Sequence, residues 1–157
     1  MRFSVLILFF VFNYSFAQAG SDTLEKIFSS RSFSLLEDYA GDWGGYTHTF
    51  IFTRSDTGTI ILWQDPDFPD GETPRELKIL FPNDSLKKLQ KLFAGCALKI
   101  QGSKNKSTER SRYIFKNKEM SYTIDDNFTM LCVDSFKTWK EMLFKEGLKQ
   151  EKRKKKK

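Results

Sequence analysis

Between Gly44 and Gln64, two runs rich in β-branched and aromatic residues flank the four residues Ser55-Asp56-Thr57-Gly58. A turn carrying aspartate and glycine between such runs is a hairpin signal, because both residues tolerate the backbone angles a tight reversal needs. Side chains alternate along a strand. Tyr46, His48, Phe50 and Phe52 therefore share one face, and Thr47, Thr49, Ile51 and Thr53 share the other. A lone hairpin is marginal in water, so other elements must cover the aromatic face.

The rest of the chain supplies them. Glu76 to Phe81 alternates, with Leu77, Ile79 and Phe81 on one side and Lys78 on the other, and Pro82 stops it. Asn83, Asp84 and Ser85 are N-cap residue types, and Leu86, Leu89, Leu92 and Phe93 follow at helical spacing. Gly95 is expected to end that helix, with Cys96 just beyond it. Leu98 to Gln101 reads as a brief extended segment, and Gly102 to Ser111 as a polar, basic connection. Arg112–Phe115 and Met120–Asp125 are expected to form a second hairpin around Lys116–Glu119. Asp134 or Ser135 then caps a helix striped by Phe136, Trp139, Leu143 and Phe144, which Gly147 ends. Upstream, Ser32–Glu37 suits a first strand with Phe33 and Leu35 on one face. Residues 22–28 fit either a short helix capped by Asp22 or a leader into that strand. Strands joined by short turns with only two helices give an α+β fold. The expectation is a meandering antiparallel sheet of four to six strands with two helices packed on one face.

The N-terminus carries an address. A positive Met1-Arg2, an apolar run from Ser4 to Phe12 and small residues at Ala17 and Ala19 form the layout of a secretory signal peptide, residues 1–19, cleaved after Ala19. The run falls short of the roughly 20 apolar residues that a membrane span needs. The mature chain is then one domain over residues 20–148 followed by a basic tail, 149–157, expected to be disordered and to leave the protein secreted or periplasmic. The formal charge of +6 lies mostly in that tail. Between residues 20 and 148, eighteen basic residues face nineteen acidic ones, so the body is near neutral. Lys152, Arg153, Lys154, Lys155, Lys156 and Lys157 suit an anionic surface or envelope polymer, or serve as a solvated solubilising tail. A near-neutral body without an interleaved basic and aromatic face argues against nucleic acid.

Export also bears on Cys96 and Cys132, the two cysteines of the chain. An oxidising compartment and an even count point to one disulfide, the alternative being two buried thiols. Two cysteines and a single histidine, His48, do not make a zinc set.

Catalytic patterns are sparse. His48 sits mid-strand among aromatics, with no nucleophile elbow or evident carboxylate partner, and Gly41, Gly44 and Gly45 precede a strand where phosphate-cradling loops precede a helix. Asp65, Asp67, Asp70 and Glu72 alternate like a calcium loop, but Pro66 and Pro69 interrupt them and the bidentate glutamate is missing. Residues 65–74 read instead as an exposed acidic loop. Asn83, Asn105 and Asn127 open glycosylation triplets, of consequence only in a eukaryotic host. Trp43, Tyr46 and Trp63, with Asp65, Asp67 and Phe68 beside them, are the candidate binding residues, since rings next to glycines or at a strand end can face solvent; the other reading of the rings is ordinary core and turn packing, which a Phe-rich chain needs. No cofactor or metal is expected. The chain thus reads as a small exported, non-enzymatic binding or envelope-associated module acting on a protein or polymer. A second reading is a loop-presenting inhibitor or immunity-like protein directed at a secreted enzyme, and a hydrolase comes third.

Overall fold

A computed structural model describes residues 22–41, 44–64, 76–102, 109–126 and 131–154. Helix α1 covers 22–29, and four strands follow: β1 (Ser32–Gly41), β2 (Gly44–Ser55), β3 (Gly58–Gln64) and β4 (Glu76–Phe81). Helix α2 (Asn83–Gly102) leads to β5 (Arg110–Lys116) and β6 (Ser121–Asp126), and helix α3 (Leu131–Lys154) completes the described chain. The fold is α+β with one six-stranded antiparallel sheet in the order β4-β3-β2-β1-β5-β6. Strands β1 to β4 make a meander. The β5–β6 hairpin then joins the free edge of β1, pairing Leu35 with Phe115 and Glu37 with Tyr113.

All three helices supply side chains to one core, built on a single face of the sheet. Leu24, Ile27 and Phe28 come from α1, Leu86, Leu89, Phe93 and Cys96 from α2, and Phe136, Trp139 and Leu143 from α3. They meet the inward residues of every strand, including Phe33, Phe50, Phe52, Ile61, Ile79 and Phe115. The face assignment of the first hairpin holds: His48, Phe50 and Phe52 are buried and Tyr46 half-buried, while Thr47 and Thr53 are exposed. Its turn is Asp56-Thr57, closed by Ser55 opposite Gly58, whose φ of +151° is open to glycine at low cost.

Four details depart from the sequence reading. Residues 22–29 take the helical one of their two readings and so add a third helix to the two expected on the sheet, because Leu24, Ile27 and Phe28 form an apolar stripe that the core takes in. Gly95 lies inside α2, which runs on through Leu98–Gln101 because Ala97 and Ile100 still pack against the core. Cys96 is therefore in the helix and not beyond it. Gly147 likewise lies inside α3, which continues into the expected tail as far as Lys154. The reason is contact. A Cβ at Gly147 would come within 2.6 Å of Leu77 Cδ2, so glycine there permits close packing on β4 and does not stop the helix. One turn later, Gln150 Nε2 donates to the Leu80 carbonyl at 2.9 Å and Gln150 Oε1 accepts from the Leu80 amide at 3.0 Å. This pair satisfies part of edge strand β4, which would otherwise present open backbone groups.

The start of α3 also differs. The helix begins ahead of Asp134 and Ser135, and the buried carboxylate of Asp126, at the end of β6, accepts from the Cys132 amide at 3.2 Å. A carboxylate at a helix N-terminus satisfies an orphan donor and complements the helix dipole. Cys96 and Cys132 lie at disulfide distance with Cα atoms 5.7 Å apart, joining α2 to the start of α3. No helix among the described residues is long and apolar enough to cross a membrane. The signal peptide expected over residues 1–19 lies outside the described residues.

Candidate functional site: a buried polar cluster and an open sheet face

The alternation that buries Phe33 and Leu35 on β1 carries on to Glu37, which is 1% exposed. Directly across the ladder on β2 stands His48, also buried. From above, the apolar stripe of α3 that contains Phe136, Trp139 and Leu143 includes Lys140 at the same angular position, and it too is buried. Three ionisable groups thus meet under the helix layer. Lys140 Nζ donates to Glu37 Oε2 at 2.6 Å, and His48 Nδ1 lies 2.9 Å from the same oxygen. Tyr46 OH is 3.5 Å from Glu37 Oε1 and 3.4 Å from Lys140 Nζ.

Donor and acceptor capacity assigns the protons. An ammonium has no lone pair, and an ionised carboxylate only accepts. The 2.9 Å contact therefore requires the His48 proton on Nδ1, donated to Glu37. The 3.4 Å approach of Lys140 Nζ to Nδ1 is then proximity between two donors that share one acceptor. Burial lowers the Lys140 pKa, and the Glu37 charge opposes that shift. Burial is also the main cause that pushes the Tyr46 phenol well above its ordinary value, with Glu37 adding to it. Lys140 further lies over the rings of Tyr46 and Phe136, at 4.8 and 5.3 Å from their centroids.

Chemically, one carboxylate receives an ammonium, an imidazole N–H and a distant phenol. The carboxylate partner that His48 lacks in the sequence reading is Glu37. What the arrangement does is fasten α3 to the β1–β2 ladder. Neither Glu37 nor Lys140 is among the candidates from sequence, although both occupy apolar positions of their periodic patterns, and that was the signal available.

The sequence candidates separate. Tyr46 belongs to this cluster and stacks on Tyr39 with centroids 5.0 Å apart. Trp63 is 1% exposed and packs between Phe50 and Phe144, so of the two readings of this ring the core packing holds and the solvent-facing ring at the strand end is corrected. Its position on β3 has the parity of Ile61, which is inward. Trp43, Asp65, Asp67 and Phe68 lie outside the described residues. So do Lys155, Lys156 and Lys157, whereas Lys152, Arg153 and Lys154 form the exposed last turn of α3 or precede it directly. Among the described residues no group of three His, Cys, Asp or Glu side chains is placed to hold a metal ion.

The second feature is the face of the sheet opposite the helices. Solvated faces of antiparallel sheets ordinarily alternate to polar residues. Here Ile114 on β5, Leu36 on β1, Ile51 on β2 and Leu62 and Ile60 on β3 are half-buried, and Leu80 on β4 is 44% exposed. The register makes them contiguous. Leu36 pairs with Ile114 and lies diagonal to Ile51, Ile51 pairs with Leu62, and Ile60 pairs with Leu80. The aliphatic band crosses five strands, about 20 Å at the usual spacing between strands. Thr47, Thr53 and Thr123 border it. Comparison with protein-family models, with curated proteins and with solved structures returns no match to this chain.

Proposed function

We propose that the protein is an exported, non-enzymatic binding module that engages a protein partner across the open face of its sheet. The observation that carries this reading is the aliphatic band from Ile114 to Leu80 on the face away from the helices. A contiguous apolar patch on a sheet face is the kind of surface that marks an interaction site. The buried cluster supports the same reading, since Lys140 and His48 both contact Glu37 in the interior, away from solvent. The leader-like N-terminus and the cysteine pair at bonding distance favour an oxidising compartment outside the cytosol.

The test is capture of a partner from host-cell extract by the immobilised mature chain. Leu36→Lys combined with Leu62→Lys places two charges in the middle of the band and is expected to abolish capture while leaving the far-UV circular dichroism spectrum intact. Deleting residues 65–74 removes the competing acidic proline segment and is expected to leave capture unchanged. Capture that survives the two lysines, or that disappears with the loop, refutes the proposal.

A further inference from the structure

At one end of the open face, β1 begins between β2, which runs on past it, and β5, which ends opposite Ser34. Ser34 is flanked by Ile51 of β2 and Lys116 of β5, and residues 30–31 lead back to α1. The β5–β6 turn closes the other side, leaving a groove of about 850 Å³. Four cations line it: Lys26 from α1, Arg31 from the α1–β1 connection, Lys116 from the end of β5 and Lys118 from the turn. Glu119 is the one acid among the described residues that line it. None of the four cations is in an ion pair among the described residues. On the same sheet face toward its other end, by contrast, Arg110 and Arg112 share the Asp125 carboxylate at 3.3 and 2.9 Å.

The cations are not needed by the neighbouring backbone either. The C-terminal carbonyls of α1 attract positive charge, yet those of Ile27 and Phe28 already have partners. Ile27 O accepts from the Ser30 amide at 3.1 Å and from Ser30 Oγ at 2.6 Å, and Arg54 Nη2 donates to Phe28 O. Arg54 thus closes the helix end and leaves Lys26 and Arg31 over. The opposite wall is pre-organised: Asn117 Oδ1 accepts from the amides of Glu119 and Met120, both at 2.9 Å, and the Asn117 amide donates to Met120 O at 3.1 Å. A turn held this way presents Lys116 and Lys118 at little ordering cost on binding.

We infer that this groove binds a small oligoanion rich in hydroxyl groups, a phosphate- or sulfate-bearing sugar of about disaccharide size. The volume falls within the roughly 300–1,000 Å³ of ligand pockets. Unpaired cations on both walls select for more than one negative charge. Ser32, Ser34 and Thr53 line the floor with hydroxyls, and Ile51 and Met120 offer apolar patches for the faces of sugar rings. A nucleotide fits less well, because Phe33, the lining aromatic, is buried and stacked on Phe52 at 4.4 Å, leaving no ring face for a base. The inference deepens the binding-module reading by giving one end of the open face its own ligand chemistry, and it rests on that reading only for the accessibility of the face.

The experiment is isothermal titration calorimetry of the mature full-length chain at low ionic strength, with a sulfated disaccharide and inorganic phosphate as probes. The disaccharide is expected to bind more tightly than phosphate. Lys116→Glu with Lys118→Glu is expected to weaken it at least tenfold, since removing and reversing two surface charges each costs up to a few-fold. Replacing Lys152, Arg153 and Lys154–Lys157 with glutamine is expected to leave the affinity within twofold. Absence of binding in the millimolar range overturns the inference, as does binding that the tail variant loses and the groove variant keeps. Vesicles with anionic headgroups form a further arm. Binding to them that exceeds the soluble sugar, and that the groove variant loses, assigns the anion to a lipid and overturns the sugar assignment. The Leu36→Lys, Leu62→Lys variant is expected to retain probe binding. A groove that fails with partner capture intact therefore removes this inference and leaves the module reading standing.

Discussion

Lys140→Met tests how the helix layer is held to the sheet. The side chains of Lys140 and Glu37 are 9% and 2% exposed, and their 2.6 Å contact is the shortest link between α3 and β1 in the cluster. Removing one partner of a buried ion pair costs about 3–5 kcal/mol, because the remaining charge stays buried without compensation. Glu37 keeps the His48 Nδ1–H donor at 2.9 Å, which places the expected loss near the lower end, about 3 kcal/mol. For a domain of this size that is a fall of roughly 10 °C in Tm. Urea unfolding followed by tryptophan fluorescence reads it directly, since Trp63 and Trp139 are both buried. The companion variant joins Lys140→Met to Glu37→Leu. Burial lowers the Lys140 pKa against the pull of the Glu37 charge, and a buried ion pair is often no more stabilising than apolar residues of the same volume. An apolar pair of similar volume is then expected to be within about 1 kcal/mol of the wild type. The double variant should lose at least ~3 kcal/mol less than the sum of the singles. Singles that each cost under about 0.5 kcal/mol, or that add, would show no coupled buried pair and refute the reasoning.

Other perturbations follow from the same packing. Burial, then the Glu37 charge, raises the phenols of Tyr46 and Tyr113 above their ordinary value. Groups with raised folded-state pKa values stabilise below the unfolded value of about 10, and that stabilisation is lost as pH rises through the folded values. Lys140, lowered by burial, acts with the opposite sign just below that range, one amine against two phenols. Tyrosinate absorbance from Tyr46 and Tyr113 is therefore expected to appear together with loss of far-UV circular dichroism, and ordinary titration of every tyrosine in an intact fold counts against the cluster. Cys96→Ala with Cys132→Ala opens a loop with a sequence separation of 36 and is expected to lower stability by about 4 kcal/mol on the chain-entropy account. Dithiothreitol should lower the wild-type Tm and leave the double variant unmoved. Gly147→Ala gains about 1 kcal/mol of helix propensity, but its Cβ meets Leu77 Cδ2 at 2.6 Å and Ile79 Cγ1 at 2.9 Å. A net loss of ~1–2 kcal/mol is expected from overpacking. Gly95→Ala, with nothing within 4 Å of its Cβ, is expected to stabilise by roughly 0.5–1 kcal/mol.

Local periodicity made the hairpins and their faces legible, because a one-residue slip would turn every inward side chain outward. The same rule places Glu37 beside Phe33 and Leu35, and helical spacing places Lys140 beside Phe136 and Leu143. Charge obscured both, since single Lys and Glu residues are almost always at the surface unless paired with one another. The partner comes from 103 residues away, and no local pattern announces it. Helix ends were misread for a related reason. Glycine marks a stop only where the next turn has nothing to pack on. Past Gly95, Ala97 and Ile100 still face the core, and past Gly147, Gln150 engages Leu80. The attachment of the second hairpin to β1 is equally non-local: two meanders share an interior strand that is first in the sheet's chain order.

The two faces of the sheet differ in what they leave available. On the helix side, the cysteine pair, the Glu37–Lys140 contact and the Gln150–Leu80 exchange tie α2 and α3 to each other and to the sheet. The large side chains there, Trp63 included, are buried against one another. A surface must be rigid and accessible to bind without a large ordering cost. The clamped helices make the sheet rigid, and the opposite face is the one they leave accessible. On that face the aliphatic band and the unpaired cations adjoin at Ile51, which pairs with Leu62 in the band and lines the groove beside Lys116. Ile51 is thus the residue at which apolar docking and anion binding would have to compete or cooperate. A sulfated disaccharide that changes partner affinity in the wild type, and fails to do so in Ile51→Thr, would show that the two surfaces act as one.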